Sequence, residues 1–432
     1  MQSNVLFIVY YLPPMGGSGV QRPLKFIKYL PRFNWHPVVL APKPGAYHSF
    51  DESLMVELNN CDATIERVDA ETPFHNWGGI MSMMSKLPSN MQRWLRRMSY
   101  GLMLPDNKKG WIEPAVEKGR HLIEEKNIDL IFSTAPPYSN HCIAARLKQD
   151  TDLPVVMDFR DEWLESQLIE YPTRWHKRRM ARLERETVRA SDTITVLDRY
   201  MKDRFESRLN NGQLDCKVVP HGFDPEDFEQ AGTPSLQYDP DRLNLLYSGI
   251  FIHHNQPDSF LKAVKRAIQK KPGLEGELRL HFQGGLAKEH YQLIARLELN
   301  DLVKDYGYLT HKQAVANLCR TDAVWFISNF GPGHKQVKSG KLFEYIGSGK
   351  PILGLIYDGG EEERLLNRYK ASYRARPDDV GKVTDALLAM YKDWKNESLP
   401  QADRRWSEQF DRVQLAEQLA DLFNKLNHRE AG

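Results

Sequence analysis

The sequence predicts an α/β protein built from two doubly wound, Rossmann-like domains. Three observations carry this. The chain has 432 residues, more than a single hydrophobic core usually serves. Short apolar runs recur, each followed by a stretch with helical spacing, as parallel strands buried on both faces require. The alternation of strand and helix also stops in a polar segment and then restarts.

In the first half, Val5–Tyr10 reads as a strand, followed by a Gly/Pro loop. Val20–Phe33 then has helical spacing at Leu24, Ile27 and Leu30. Pro37–Ala41, Asp129–Phe132 and Val155–Phe159 are the next strands, the last two separated by a helix over His141–Gln149. Thr193–Leu197 and Cys216–Pro220 complete the first sheet. Gln230–Arg242 is polar and rich in Gly, Pro and Asp, and reads as a hinge. Beyond it come strands Leu243–Ser248, Leu278–Gln283, Val303–Tyr308, Ala323–Ser328 and Ile352–Ile356, with a helix over Ser259–Lys270. Phe410–Leu426 closes the chain as an amphipathic helix, with Val413, Leu415, Leu419, Leu422 and Phe423 on one side. The domains expected are 1–228, 229–405, and a terminal helix at 406–432.

Apolar residues make up 41% of the chain and charged residues 27%, as in an ordinary soluble globular protein. A net charge of +2 excludes a molecule that is basic throughout. The four cysteines, Cys61, Cys142, Cys216 and Cys319, form neither a CxxC pair nor a Cys/His cluster of zinc spacing. They read as buried thiols in a reducing cytoplasm. No apolar run reaches the length of a membrane span, and no basic leader precedes the first strand.

Three loops stand where an α/β sheet binds ligands. Pro13-Pro14-Met15-Gly16-Gly17-Ser18-Gly19 follows the first strand and opens a helix. Its glycines let backbone approach a ligand, and helix-start amides favour anions; a tight strand–helix connection needs the same residues. Val219-Pro220-His221-Gly222-Phe223-Asp224 ends the first sheet, either bordering a crevice or simply turning into the linker. Ser339-Gly340-Lys341-Leu342-Phe343-Glu344-Tyr345-Ile346-Gly347-Ser348-Gly349-Lys350-Pro351 reads as loop, helix and glycine stop. Ser339 and Gly340 sit where helix-start amides would face a phosphate, Lys341 supplies a positive charge, and Glu344 lies one turn further in, able to accept from ribose hydroxyls. Otherwise, Glu344 is a solvated residue favouring the helix dipole.

Taken together and in this order, Tyr10–Gly17, Asp158-Phe159-Arg160-Asp161-Glu162-Trp163, Val219–Asp224 and Gly340–Tyr345 are similar to bacterial family 4 glycosyltransferases. The resemblance implies the GT-B fold: two Rossmann-like domains facing a cleft, with the terminal helix crossing back to the first domain. It implies an acceptor-side first domain and a nucleotide-sugar second domain. It further implies a nucleotide-diphosphate sugar donor and retention of anomeric configuration, in polysaccharide or glycoconjugate biosynthesis. Acceptors would be carbohydrate, lipid-linked or small molecules. Neither cofactor nor metal is called for.

Carried over, the resemblance assigns donor binding to Gly16, Gly17, His221, Gly222, Gly249, Ser339, Gly340, Lys341, Leu342 and Glu344. Catalytic candidates are Arg160, Asp161 and Gln336. Glu344 matches the second acid of the family's two-glutamate motif; the first acid falls on Gln336, a departure. The Arg and Lys often found after the first strand of the second domain are also missing, since Gly249 leads into Ile250–Gln256. His253 and His254 are then either phosphate partners or solvated loop residues. Asp158–Asp161 either lines the acceptor side or forms a structural Arg–Asp pair.

Two basic stretches, Met91–Met103 (with Arg93, Arg96 and Arg97) and Arg174–Arg189, suit peripheral contact with an anionic membrane surface, or pack as ordinary surface helices. No nucleic-acid motif accompanies them. The expected location is the cytoplasm, with the inner face of the membrane as the docking surface. Two rivals share the fold: a non-hydrolysing UDP-sugar epimerase, and a non-catalytic GT-B partner subunit.

Overall fold

The computed structural model describes residues 2–45, 50–70, 104–165, 171–209, 214–251, 255–328, 331, 335–336 and 339–430. The chain forms two compact units, 1–220 with 416–432, and 221–415.

In the first unit the described strands are β1 (Ser3–Ile8), β2 (Trp35–Pro42), β3 (Thr64–Val68), β4 (Leu130–Ala135), β5 (Val155–Phe159), β6 (Thr193–Val196) and β7 (Cys216–Val218). They form one sheet in the order β3-β2-β1-β4-β5-β6-β7, with parallel pairing throughout. Strand order reverses between β1 and β4, so the loops leaving these two strands flank the position where such sheets bind ligands. Alternate residues serve opposite faces. Leu6, Ile8, Ile131, Met157 and Ile194 enter one core. On the other face Phe7 lies 4.6 Å from Phe132, which also meets Phe26 and Phe423. Phe423 comes from the last helix, Arg412–Glu430, whose residues from 416 belong to this unit. Trp35 Nε1 donates to Asn424 Oδ1 at 2.9 Å.

The second unit repeats the plan with β8 (Leu243–Ser248), β9 (Leu278–Gln283), β10 (Val303–Asp305), β11 (Ala323–Ile327), β12 (Ile352–Leu355) and β13 (Ser372–Ala375). Their order is β10-β9-β8-β11-β12-β13, all pairs parallel. Period-two alternation divides the core cleanly. Leu245, Tyr247, Trp325 and Leu353 face one cluster. Leu246, Val324, Phe326 and Ile352 face the other. Here the reversal lies between β8 and β11.

The hinge expected at Gln230–Arg242 is instead packed inside the second unit. Leu236 is buried, its amide donates to Asn317 Oδ1 at 2.9 Å, and Tyr238 Oη donates to Asp322 Oδ1 at 3.0 Å. Polar composition marked a segment without regular structure, but its anchors lie some 80 residues away in sequence. The first helix also ends earlier than its spacing suggests. It runs Ser18–Tyr29 and passes into a 3-10 turn at Leu30–Phe33, where Pro31 removes a backbone donor and Asn34 takes φ 63°.

Candidate functional site

The second unit brings three chain segments together at its strand reversal. Gly249 leaves β8 with φ 121° and donates its amide to Gln283 O at 2.7 Å. Gly284 leaves β9 with φ 117°, and a Cβ placed there would stand 2.5 Å from the Gly249 carbonyl carbon. A Cβ on Gly249 would stand 2.7 Å from Lys341 Nζ. Both positions therefore require glycine, through a positive φ and through the space they leave. Lys341 fills that space from the helix Gly340–Ser348. Its Nζ donates to Tyr247 Oη at 2.8 Å and lies 4.0 Å from the centre of that ring. Burial lowers the Lys341 pKa to about 7, against the opposing pull of Glu344.

The start of this helix has the features of an anion site. Ser339 occupies the N-cap but makes no side-chain cap, and no acid stands in the first turn. Amides at such an end lack intrahelical partners and carry the positive end of the dipole. A Cβ at Gly340 would meet nothing within 4 Å. Leu342, by contrast, is fully buried in the core, so its side chain faces apolar neighbours and only its backbone could serve a ligand.

Glu344 is half-buried rather than solvated. Burial raises its pKa; His311, Arg412 and Lys341 oppose that, and Asp227 reinforces it. His311 Nε2 and Asp227 Oδ2 are 3.0 Å apart. His221 lies near Phe343, ring centres 6.1 Å apart. Gly222 has a packing reason: a Cβ would overlap Phe410 O at 2.1 Å, next to the pairing of Phe223 with Phe410 and Arg412. Gln336 is half-buried, and its Nε2 is buried without a partner.

In the first unit, Gly17 caps the Ser18–Tyr29 helix with φ 93° and ψ 172°, a conformation essentially reserved for glycine. Gly16 is buried beside it and Gly17 is exposed. The Asp158–Asp161 motif is chiefly structural. Thr134, Asp158 and Thr195 are register neighbours on β4, β5 and β6. Both threonine hydroxyls donate to Asp158 at 2.7 Å. Arg22 donates to the two Asp158 oxygens at 3.0 and 2.8 Å, and to the carbonyls of Pro220 and Val219 at 2.6 and 2.9 Å. Although burial opposes ionisation, Arg22 and the hydroxyls hold the Asp158 carboxyl down at about 2. The ion pair is thus Arg22–Asp158, 136 residues apart, which adjacency of Arg160 to Asp161 could not reveal. All three Arg160 guanidinium nitrogens donate to backbone carbonyls, of Ala135, Gly19 and Pro136. That makes Arg160 a clamp between the start of the first helix and the end of β4. Asp161 is half-buried at the strand end.

Sequence reasoning missed Gly284, Tyr247 and Asn255, whose amide lies 3.0 Å from Tyr247 Oη. The signal available was the Gly284-Gly285 pair after a strand. Arg174–Val188 is a helix with Trp175 59% exposed. Trp175, Arg178, Arg179, Arg182, Leu183 and Leu104 line a cavity of about 630 Å³. Met91–Met103, His253 and His254 lie outside the described residues.

Residues 20–222 match the family model of the glycosyl transferase 4-like domain. No curated protein sequence matches the chain. Among solved structures, a glycosyltransferase from Rickettsia africae superposes with TM-score 0.64 at 10% identity, covering 98% of both chains. Sucrose-phosphate synthase from Thermosynechococcus elongatus gives 0.63 at 13% identity, over 98% of this chain and 99% of the other. A UDP-forming trehalose-phosphate synthase from Burkholderia xenovorans gives 0.61 at 12%, over the whole of both. At such identities the likeness is one of fold. Residues 20–222 thus form a glycosyl transferase 4-like domain, and the chain as a whole shares the two-sheet GT-B fold of these structures.

Proposed function

We propose that the protein transfers a sugar from a nucleoside-diphosphate sugar to an acceptor hydroxyl with retention of configuration, in polysaccharide or glycoconjugate assembly. The observation that carries the donor assignment is the uncapped start of the Gly340–Ser348 helix with Lys341 held against Gly249. Its amides and the lysine suit a diphosphate, and Glu344 suits ribose hydroxyls. The first unit binds the acceptor, a carbohydrate, lipid-linked or small molecule.

In this reading the acceptor oxygen bonds to the anomeric carbon on the face from which the diphosphate departs. The breaking C–O bond leaves its electron pair on the diphosphate, and a diphosphate oxygen takes the acceptor proton. Lys341 and the helix-start amides stabilise the charge that develops there, so a metal is not required. Among the described residues no helix is long and apolar enough to cross a membrane. The basic helix Arg174–Val188 supports peripheral contact with anionic lipid at the inner membrane face.

Incubating purified protein with UDP-glucose, UDP-N-acetylglucosamine and GDP-mannose, with and without EDTA, tests this. Slow release of nucleoside diphosphate that persists in EDTA is expected. Sugar interconversion would favour an epimerase, neither reaction a non-catalytic subunit, and activity restored only by Mg²⁺ or Mn²⁺ would overturn the account of the leaving group.

A further inference from the structure

Three consecutive glutamates, Glu361, Glu362 and Glu363, open the helix Glu361–Tyr369 that follows β12. On an exposed helix start they would all face solvent and favour the dipole. Two have local explanations. Glu361 pairs with Arg364, and its amide donates to Lys335 O at 2.7 Å. Glu363 accepts from Gly359 N at 2.7 Å. Glu362 differs: it is only 6% exposed, and its Oε1 is buried without a partner. Among the described residues its carboxyl hydrogen-bonds Ser328, at the end of β11.

An unsatisfied buried carboxyl oxygen costs free energy and calls for an explanation. A second orphan stands close by in the chain. Gln336 follows Lys335, whose carbonyl binds the Glu361 amide, and Gln336 Nε2 is likewise buried and unpartnered. One orphan is an N–H donor and the other an oxygen acceptor, on either side of the Lys335–Glu361 bond. Gln336 follows β11 and Glu362 follows β12 in the chain, and Glu362 reaches Ser328 at the end of β11, the strand that borders the reversal. A ligand hydroxyl, which both donates and accepts, matches this donor and acceptor in kind; a phosphate, which only accepts, does not.

We propose that Glu362, together with Gln336, holds a hydroxyl of the transferred sugar, which supplies the partners these two buried groups lack. This rests on the donor assignment above. Burial pushes the Glu362 carboxyl up to about 7, so near neutral pH a large fraction carries a proton and binds a neutral hydroxyl without a full buried charge.

The test is calorimetric titration of wild type, Glu362→Ala, Glu362→Gln and Gln336→Ala with UDP, UDP-glucose and UDP-N-acetylglucosamine, and with GDP and GDP-mannose. The quantity read is the affinity for the sugar nucleotide relative to its own nucleoside diphosphate. In Glu362→Ala this ratio should fall about tenfold for the preferred donor, with nucleoside diphosphate binding unchanged within about twofold. Glu362→Gln, which keeps an acceptor oxygen, should retain part of the ratio, and Gln336→Ala should lose part of it. A wild-type ratio of one, an unchanged ratio in Glu362→Ala, or equal weakening of nucleotide and sugar nucleotide overturns the proposal while leaving the donor site intact. If wild type binds none of the nucleotides, the donor assignment itself fails and takes this inference with it. Melting of each variant shows whether it is folded. Should Glu362→Ala unfold, the Glu362→Gln and Gln336→Ala ratios decide alone, and wild-type ratios in both overturn the proposal.

Discussion

The two strand reversals use the same elements, a glycine loop, a helix start and buried charge, for opposite ends. At the first, the charges are saturated from within. Asp158 receives two arginine N–H groups and two threonine hydroxyls, and Arg160 gives all its nitrogens to backbone carbonyls. At the second, Lys341 meets a neutral tyrosine hydroxyl, the helix start has no side-chain cap, and Glu362 keeps a bare oxygen. The first therefore holds loops in place, while the second leaves a helix start without a side-chain cap and a buried oxygen without a partner. Charged residues at a sheet's ligand edge are thus told apart by what already satisfies them.

The largest test of this comparison is Arg22→Ala. Removing one partner of a buried pair leaves Asp158 uncompensated and should cost about 3–5 kcal/mol in urea unfolding at neutral pH. The depressed Asp158 pKa sets the sign of the pH dependence. Wild type holds this stabilisation above the unfolded carboxyl value and loses it as pH falls toward about 2. Arg22→Ala should lack that part of the acid slope, and an unchanged slope would break the contrast.

Glu344→Ala comes next. It should melt within a few degrees of wild type but bind its nucleoside diphosphate at least about tenfold more weakly, because a charge-assisted hydrogen bond is worth roughly 1.5–3 kcal/mol. Calorimetry with UDP, GDP and ADP decides; equal affinity would remove Glu344 from the site.

Lys341 sharpens the comparison through pH. A ligand diphosphate selects the charged lysine, so nucleotide affinity should decline as pH rises above about 7, by at most about tenfold per unit. Lys341→Ala should bind weakly with a flatter profile over the same range, and a wild-type-like slope there would assign the titration elsewhere.

The smallest effect concerns a third charged region, turned outward. Arg178, Arg179 and Arg182 should each add on the order of 1 kcal/mol to binding of anionic vesicles. Flotation of wild type and the triple Ala variant measures it, and equal recovery on neutral vesicles would leave the helix as ordinary surface.

By itself, the sequence determined the class of fold and the place of the Gly340–Ser348 helix. β1, β4, β5, β8 and β11 are buried on both faces over most of their length, so each carries a short, largely apolar run that needs no partner to be recognised. Gly340–Tyr345 was legible because a helix start, a lysine and a glutamate a turn later are fixed by local geometry. The edge strands β3, β10 and β13 were not all legible. All five β3 residues are half-buried and its polar positions break the run, so it passed unseen, as did β13; β10 was read, but too long. Which charges are satisfied was decided only by the tertiary structure. Arg22 meets Asp158 across 136 positions because parallel pairing brings β4, β5 and β6 into register beneath a helix that starts at residue 18. Gly284 backs onto Gly249, and Glu361 onto Lys335, for the same kind of reason. Local sequence encodes period and propensity, whereas partners brought together by sheet order are set by the packing of the whole unit.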